Sequence, residues 1–186
     1  MSSAGSLEAG GSLRLFLALL LPDEVAESLG RWSERHLERG RRVESFHVTL
    51  AFLGARPRSE LGAITAAVCE SAAASQPFTL EPVRYRETRA VGMLVLDDPS
   101  GEAARLAVGL HQRLEALGVY RREARPWLPH VTVLRFRERP RLEPPLALLR
   151  AEVGAFAPSG AAAFLSRLHP SGARYEILEQ CTLKPS

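Results

Sequence analysis

Two short stretches of the sequence place a histidine two residues before a threonine inside an apolar segment. The first contains His47 and Thr49 in SFHVTLAFLG, and the second contains His130 and Thr132 in LPHVTVLRF. A buried imidazole costs free energy unless it has a hydrogen-bond partner or a chemical role. Two copies in matching settings, in a chain with only five histidines, indicate one shared role.

The spacing of each pair places its two polar side chains together. Residues i and i+2 of a β-strand point to the same face, so His47 lies beside Thr49 and His130 beside Thr132. Two imidazoles on either side of one phosphorus can act as general base and general acid, because their ordinary pKa of about 6.5 is close to working pH. Each such proton transfer contributes roughly 10²–10⁴-fold in rate.

The threonines complete a site for phosphorus chemistry. Their hydroxyls can donate hydrogen bonds to the non-bridging oxygens, where negative charge builds in the transition state. This chemistry requires neither a metal nor a cofactor. Two histidines on separate strands, without a neighbouring cysteine or aspartate pair, are poor candidates for a complete zinc shell.

The elements that must position these residues can be predicted from periodicity. The apolar run from Leu13 to Leu21 predicts a buried central strand, preceded by a disordered lead at residues 1–12. Three helices are predicted, from Pro22 to near Gly40, from Pro57 to Pro77 and from Glu102 to Leu117. A short fourth helix is predicted over Leu146 to Glu152. Strands are predicted at both histidine motifs, in FTLEPVRYRE and AVGMLVLDD between them, and in AAAFLSRLHP and RYEILEQCTL at the end.

The order of these elements indicates two degenerate copies. Each histidine strand follows a strand and a helix, and strands do not alternate strictly with helices. This order favours an α+β fold of mostly antiparallel sheet over a doubly wound parallel sheet.

Charge and cysteine content narrow the class of protein. A net charge of +3 favours anionic ligands but falls short of the dense basic face of a duplex DNA binder. Cys69 and Cys181 form no zinc motif and are too few for a disulfide framework. They predict reduced thiols and a cytoplasmic protein. The apolar run near the start is too short to span a bilayer, so no membrane is expected.

The two motifs HVTL (His47–Leu50) and HVTV (His130–Val133), with the flanks RLFLALLLP, FHVTLAFLG and LPHVTVLRF, resemble the 2H phosphoesterase family. The similarity is greatest to its RNA 2′,3′-cyclic phosphodiesterases, also called 2′-5′ RNA ligases. It covers Leu13 to Leu183. It implies a single bilobal domain over residues 13–186, with two pseudo-symmetric lobes and outer helices around a central cleft.

The resemblance also implies an activity and a set of site residues. The family reaction is metal-independent hydrolysis of an RNA 2′,3′-cyclic phosphate to a 2′-phosphomonoester, with reversible 2′-5′ ligation in some members. His47 would be the proton donor and His130 the proton acceptor, while Thr49 and Thr132 hold the phosphate. Phe52 and Arg135 match positions that flank the terminal base. Strict alternation puts these last two on the wrong face, so they reach the cleft only if the strands end or bulge near them.

Other residues are interpreted as structural. His36 and His111 are expected at the surface or its boundary, His169 in a turn, and Trp127 in loop packing rather than in substrate contact. The basic loop containing Arg121, Arg122 and Arg125 is either a solvated surface or a contact for an RNA backbone.

The sequence leaves one alternative function open, a module that binds a nucleotide or RNA end without turnover. Ligands are expected to be RNA ends or small cyclic nucleotides, bound by a monomer. The natural substrate is open among cyclic-phosphate RNA, ADP-ribose cyclic phosphate, 2′-5′ oligonucleotides and cyclic mononucleotides.

Overall fold

The computed structural model describes residues 11–37, 40–136, 153–170 and 172–184. Most of the predicted N-terminal lead and all of the predicted helix from Leu146 to Glu152 lie outside these residues. The helices are α1 (Asp23–His36), α2 (Leu61–Ala74) and α3 (Glu102–Ala116), with a 3₁₀ turn at Arg58–Glu60. The strands are β1 (Ser12–Leu20), β2 (Arg41–Arg42), β3 (His47–Pro57), β4 (Glu81–Glu87), β5 (Val91–Asp97), β6 (His130–Arg135), β7 (Gly160–Arg167) and β8 (Arg174–Cys181).

The described strands form one antiparallel sheet in the order β4-β5-β6-β3-β1-β7-β8, with β2 paired to β6. The α+β class with antiparallel sheet is therefore confirmed. The strand β1 lies between β3 and β7, as its apolar run predicted. The two strands that carry the histidine motifs, β3 and β6, are direct neighbours.

A repeated unit surrounds this central pair of strands. The order β1–α1–β3 is matched by β5–α3–β6, and in each unit the first strand pairs antiparallel with the histidine strand. Strands also exchange between the halves of the sequence. The pair β4 and β5 extends the sheet beyond β6, whereas β7 and β8 extend it beyond β1. The strand β4, which precedes the second unit in the chain, therefore extends that unit, and the later strands β7 and β8 extend the first unit.

The helices share a core with one face of the sheet. Leu15, Leu17 and Leu19 of β1 join this core, together with the buried stripe of each helix. The intervening residues Phe16 and Ala18 pack instead with Ala162 and Phe164 on the other face. Burial on both faces explains why β1 is almost continuously apolar.

The expectation of reduced thiols is wrong in this structure. Cys69 of α2 and Cys181 at the end of β8 form a disulfide, with 5.0 Å between their Cα atoms. The helix α2 packs across β7 and β8, which brings together two residues 112 positions apart in sequence. Sequence spacing alone could not show this approach. Among the described helices, none combines the length and apolar character that a membrane span needs.

Candidate active site

The pairing of β3 with β6 determines where the two motifs meet. Val48 lies opposite Val131 in an antiparallel register, and both are fully buried toward the helices. This register places His47 beside Thr132 and Thr49 beside His130 on the opposite face. Direct cross-strand neighbours have Cβ atoms about 4.5–5.5 Å apart, and diagonal neighbours about 7–8 Å. The two imidazoles therefore occupy a diagonal on which one phosphate can lie between them.

Each motif strand contains a β-bulge immediately after its threonine. Against β1, residues His47, Thr49 and Phe52 lie opposite Leu20, Ala18 and Phe16, so Leu50 is an extra residue in β3. Against β5, residues His130, Thr132 and Arg135 lie opposite Val95, Met93 and Val91, so Val133 is an extra residue in β6. A bulge changes the alternation of side chains. Phe52 and Arg135 consequently return to the face of the histidines.

These bulges resolve the conflict that strict alternation raised for Phe52 and Arg135. Both bulges occur three residues after the histidine. The register of β3 against β1 shifts a second time at Leu53, which is an extra residue beside Gly54, and Gly54 has a φ of +68°. Two consecutive buried residues, Leu50 and Ala51 in the first strand and Val133 and Leu134 in the second, mark the same irregularity in the burial pattern.

Two distant side chains bind the backbone of the first bulge. The Nε1–H group of Trp127 donates a hydrogen bond to the Thr49 carbonyl at 3.0 Å. His111 Nε2 donates to the Leu50 carbonyl at 2.8 Å. Buried carbonyls without a partner cost free energy, so both side chains stabilise the bulged backbone. The second bulge is bound by backbone instead, because the Val43 amide donates to the Val133 carbonyl at 3.1 Å.

The interpretation of His111 as a surface or boundary residue is wrong. Its side chain is buried beneath β3 and packs against the Tyr120 ring, with 4.9 Å between the ring centroids. The interpretation of Trp127 as a packing residue agrees with its bond to the Thr49 backbone. The sequence did contain a signal for this burial. His111 lies on the same side of α3 as the buried leucine stripe, next to Leu110.

Aromatic rings surround His47. Its imidazole lies 4.9 Å from the Phe16 ring, 5.7 Å from Phe164 and 5.4 Å from Tyr175, measured between centroids. The Nδ1 atom is buried, and no described residue forms a hydrogen bond of standard geometry with it. Burial, and then the nearby charges of Arg135 and His130, lower the pKa of His47 to about 4, although an interaction with the Ser45 backbone opposes the shift. With this pKa, the imidazole of His47 is neutral near pH 7.

His130 is held differently. Its Nδ1 atom lies 2.9 Å from the carbonyl oxygen of Leu128. A carbonyl can only accept, so Nδ1 carries the hydrogen in this bond. In the neutral ring the lone pair then resides on Nε2, the nitrogen suited to take up a proton.

A cleft of about 400 Å³ opens over this face of the sheet. It brings together four of the six predicted site residues, His47, Thr49, Phe52 and Arg135. His130 and Thr132 do not line the cleft. They lie beside it on β6, because the pairing of Val48 with Val131 puts them next to Thr49 and His47. The remaining lining residues are Arg14, Phe16, Arg41, Ser166, Leu168, Ala173 and Tyr175.

Curvature of the sheet creates this cleft. The strands β6 and β8 are four positions apart, which corresponds to roughly 19 Å in a flat sheet at about 4.8 Å per strand. Nevertheless, Arg135 Nη2 donates a hydrogen bond to the Tyr175 hydroxyl at 3.1 Å. The sheet must therefore curl until its C-terminal strand reaches over the site. Sequence reasoning could not identify Tyr175 because it depends on this curvature.

Arginines from several strands make the cleft electropositive. The guanidinium carbon of Arg14 lies 4.8 Å from the centroid of the half-exposed Phe52 ring, so the ring and the guanidinium form a flat stacking surface. In contrast, two arginines of the basic loop are engaged by carboxylates, since Arg122 pairs with Glu115 and Arg125 with Glu123. Within the part of the chain that the structure describes, no three His, Cys, Asp or Glu side chains gather as metal ligands would.

Comparison with known proteins agrees with this geometry. The family whose sequence model matches residues 21–169 is described as the 2′-5′ RNA ligase superfamily. The chain belongs to this superfamily. The resemblance noted from the two histidine motifs is thereby confirmed.

Two relatives in this superfamily are RNA 2′,3′-cyclic phosphodiesterases. The one from Thermus thermophilus is 31% identical over 187 aligned positions, which cover 92% of this chain and 91% of the relative. The one from Escherichia coli K12 is 31% identical over 127 positions, covering 66% of this chain and 71% of the relative. The prediction of an enzyme of the cyclic phosphodiesterase kind is confirmed at the level of the family.

A solved structure in the superfamily shows the same fold. Escherichia coli LigT in complex with 3′-AMP superposes with a TM-score of 0.76 at 25% identity, covering 94% of this chain and 99% of LigT. A nucleotide ligand is thus established for that protein.

Proposed function

We propose that this chain hydrolyses the 2′,3′-cyclic phosphate at the end of an RNA to a 2′-phosphomonoester, by acid–base catalysis that needs no metal. The observation that carries the proposal is the register of β3 against β6, which places two imidazoles and two threonine hydroxyls on one face. The superfamily membership and the two phosphodiesterase relatives support the same reaction.

His130 is the proton acceptor in this proposal. The bond from its Nδ1–H group to the Leu128 carbonyl leaves the lone pair on Nε2 in the neutral ring. That nitrogen takes a proton from the attacking water as the new P–O bond forms. The bond to the backbone also fixes the orientation of the ring during the transfer.

His47 is the proton donor, which protonates the 3′ oxygen as the P–O3′ bond breaks. The lowered pKa of the free His47 opposes this role until the substrate is bound. A phosphate placed between the two strands adds a negative charge that favours the imidazolium form. His47 therefore takes up its proton together with the substrate, and the acid form exists mainly in the enzyme–substrate complex.

The remaining site residues bind and orient the substrate. Thr49 and Thr132 donate hydrogen bonds to the non-bridging oxygens, where the charge increases in the transition state. Phe52, with Arg14 stacked on its ring, and Arg135 flank the terminal base, since both aromatic rings and guanidinium planes stack on bases. When a 5′-hydroxyl replaces water as the nucleophile, the same groups can open the 2′,3′-cyclic phosphate to a 2′-5′ phosphodiester: His130 accepts the proton of the 5′-hydroxyl, and His47 protonates the departing 3′ oxygen.

The experiment that tests the function is hydrolysis of an RNA oligonucleotide ending in a 2′,3′-cyclic phosphate, in the presence of EDTA. We expect a 2′-phosphate product, identified by chromatography against both phosphate isomers. A 3′-phosphate product would mean that the other oxygen leaves and would overturn the assignment of the acid. Binding without turnover would favour the alternative of a non-catalytic RNA-end module.

Three further points remain proposals of ours. Residues 13–186 form one bilobal domain, the protein is a monomer, and it resides in the cytoplasm. The disulfide between Cys69 and Cys181 removes the thiol argument for the last point. Cell fractionation tests the location, and light scattering tests the monomer.

A further inference from the structure

A second cavity, of about 470 Å³, adjoins the cleft. The two share Arg41, Arg135, Ala173 and Tyr175, so they form one continuous surface. Its volume lies within the range of roughly 300–1,000 Å³ that is usual for sites of small ligands. We call it the arginine groove, after its members Arg41, Arg42, Arg135 and Arg174.

The arginine groove is strongly basic. Its four guanidinium groups come from three different strands, β2, β6 and β8, whereas its lining holds one carboxylate, that of Glu44. Guanidinium groups form charge-assisted, often bidentate hydrogen bonds with phosphate. A concave surface with this excess of positive charge favours a phosphate group over a neutral or cationic ligand.

Local features position two of the four arginines, Arg42 and Arg41. Arg42 donates hydrogen bonds from Nη2 to the carbonyls of Glu34 and Leu37, each at 3.3 Å, which fixes its side chain against the end of α1. Gly172 has a φ of +124°, and a Cβ atom at this residue would collide with the guanidinium of Arg41. The turn between β7 and β8 thus makes room for Arg41 at the side of the groove.

The position of the groove relative to the cleft indicates its ligand. The stacking surface of Phe52 and Arg14 belongs to the cleft alone, whereas Arg174 belongs to the groove alone. Proteins that bind single-stranded nucleic acid combine stacking rings for bases with a positive groove that follows the backbone. A strand whose terminal base stacks at the cleft would continue into the groove.

We propose that the arginine groove binds the backbone phosphate of the nucleotide that precedes the terminal one. The preferred substrate is then an RNA strand of at least two nucleotides rather than a cyclic mononucleotide. This inference rests on the proposed function and specifies its substrate.

The test compares two substrates that share the same end. One is adenosine 2′,3′-cyclic phosphate, and the other is a trinucleotide ending in the same group. We expect kcat/KM to be at least about tenfold higher for the trinucleotide, since one phosphate contact by a charged group has roughly that effect. The advantage should shrink with salt, and log(kcat/KM) should fall against log[salt] with a slope of about −0.7 for each phosphate contact.

Arg174→Gln tests the groove directly. The ratio of kcat/KM for the trinucleotide to that for the mononucleotide should fall several-fold. Arg174→Lys keeps the positive charge and should retain part of the preference for the trinucleotide. Arg86→Gln is the matched control, because it removes the same charge from the exposed face of β4 at the far edge of the sheet. The ratio should not change in this control.

A binding measurement distinguishes failure of the groove proposal from failure of the proposed hydrolysis. In the His130→Ala variant, affinities for adenosine 2′-phosphate and for a trinucleotide ending in a 2′-phosphate are compared by calorimetry, without turnover. Equal affinities of His130→Ala for the two ligands would overturn the groove proposal and leave the proposed hydrolysis intact. The same holds if adding Arg174→Gln to this variant weakens the binding of both ligands equally. Absence of hydrolysis in the wild-type protein would overturn the proposed function, and the affinity ratio would still decide the groove.

Discussion

The strands β3 and β6 carry the same pattern of histidine, threonine and bulge, yet they surround their histidines differently. His47 lies among the rings of Phe16, Phe164 and Tyr175 and has no regular hydrogen bond at Nδ1 among the described residues. His130 is oriented by the Leu128 carbonyl. The shared pattern therefore determines where the imidazoles lie, whereas their surroundings differ, since aromatic rings enclose His47 and a backbone carbonyl orients His130.

The largest expected effect is the loss of either histidine. His47→Ala and His130→Ala should each reduce kcat by roughly 10²–10⁴-fold, because each removes one proton transfer. Circular dichroism and thermal unfolding should show that both variants remain folded. His36→Ala, at the end of α1 and away from the cleft, serves as the matched control and should retain activity. Near-normal turnover by either cleft variant would contradict the division into acid and base.

The surroundings of His47 should also make stability depend on pH. The pKa of about 4 in the folded protein lies below the value of about 6.5 in the unfolded chain, so between these values the unfolded chain binds more protons. The free energy of unfolding should thus fall as pH decreases through this window, by up to about 3 kcal/mol. Urea unfolding of the wild type and of His47→Gln at pH 7 and pH 4.5 measures it. The variant should lose less stability, and parallel losses in both proteins would refute the prediction.

The two bulges differ in what holds them, and this difference can be tested at His111. His111→Leu leaves the buried Leu50 carbonyl without its donor and should lower the free energy of unfolding by about 1–3 kcal/mol. Because Thr49 and Phe52 lie on either side of the bulge, kcat/KM should also decrease. His111→Gln, whose amide can donate to the same carbonyl, should restore part of both quantities. A destabilised His111→Leu protein with unchanged kcat/KM would assign His111 to packing alone.

The smallest expected effect concerns the influence of Arg135 on His47. Replacing Arg135 with Gln removes a positive charge that lowers the pKa of His47, so this pKa should rise. It should remain below 6.5, because burial is the largest cause of the shift and persists in the variant. NMR titration of the imidazole measures both values. An unchanged pKa would show that Arg135 does not contribute to the acidity of His47.

The sequence predicted the elements well where the signal is local. The bounds predicted from the apolar run of β1, the leucine stripe of α3 and both His-x-Thr strands agree with the observed bounds to within a few residues. The features it missed depend on partners far along the chain. The bulges at Leu50 and Val133 are defined only by the register of the neighbouring strand, and the burial of His111 depends on α3 packing beneath β3.

The disulfide and the role of Tyr175 have the same kind of cause. Cys69 meets Cys181 only because α2 lies across the last two strands, and Tyr175 meets Arg135 only because the sheet curls. The spacing of residues within one segment of the sequence cannot predict either contact. Local pattern therefore identified the groups that could do chemistry, and long-range packing determined their surroundings.

The exchange of strands between the two halves affects when the cleft can form during synthesis. A nascent chain that ends after β6 already holds both imidazoles, but it lacks the strands that cover Phe16 and supply the hydroxyl opposite Arg135. The wall of the cleft forms only once β7 and β8 have been synthesised. A truncated protein without β8 would therefore lack the Tyr175 ring beside His47, and the ring environment that distinguishes His47 from His130 would be incomplete.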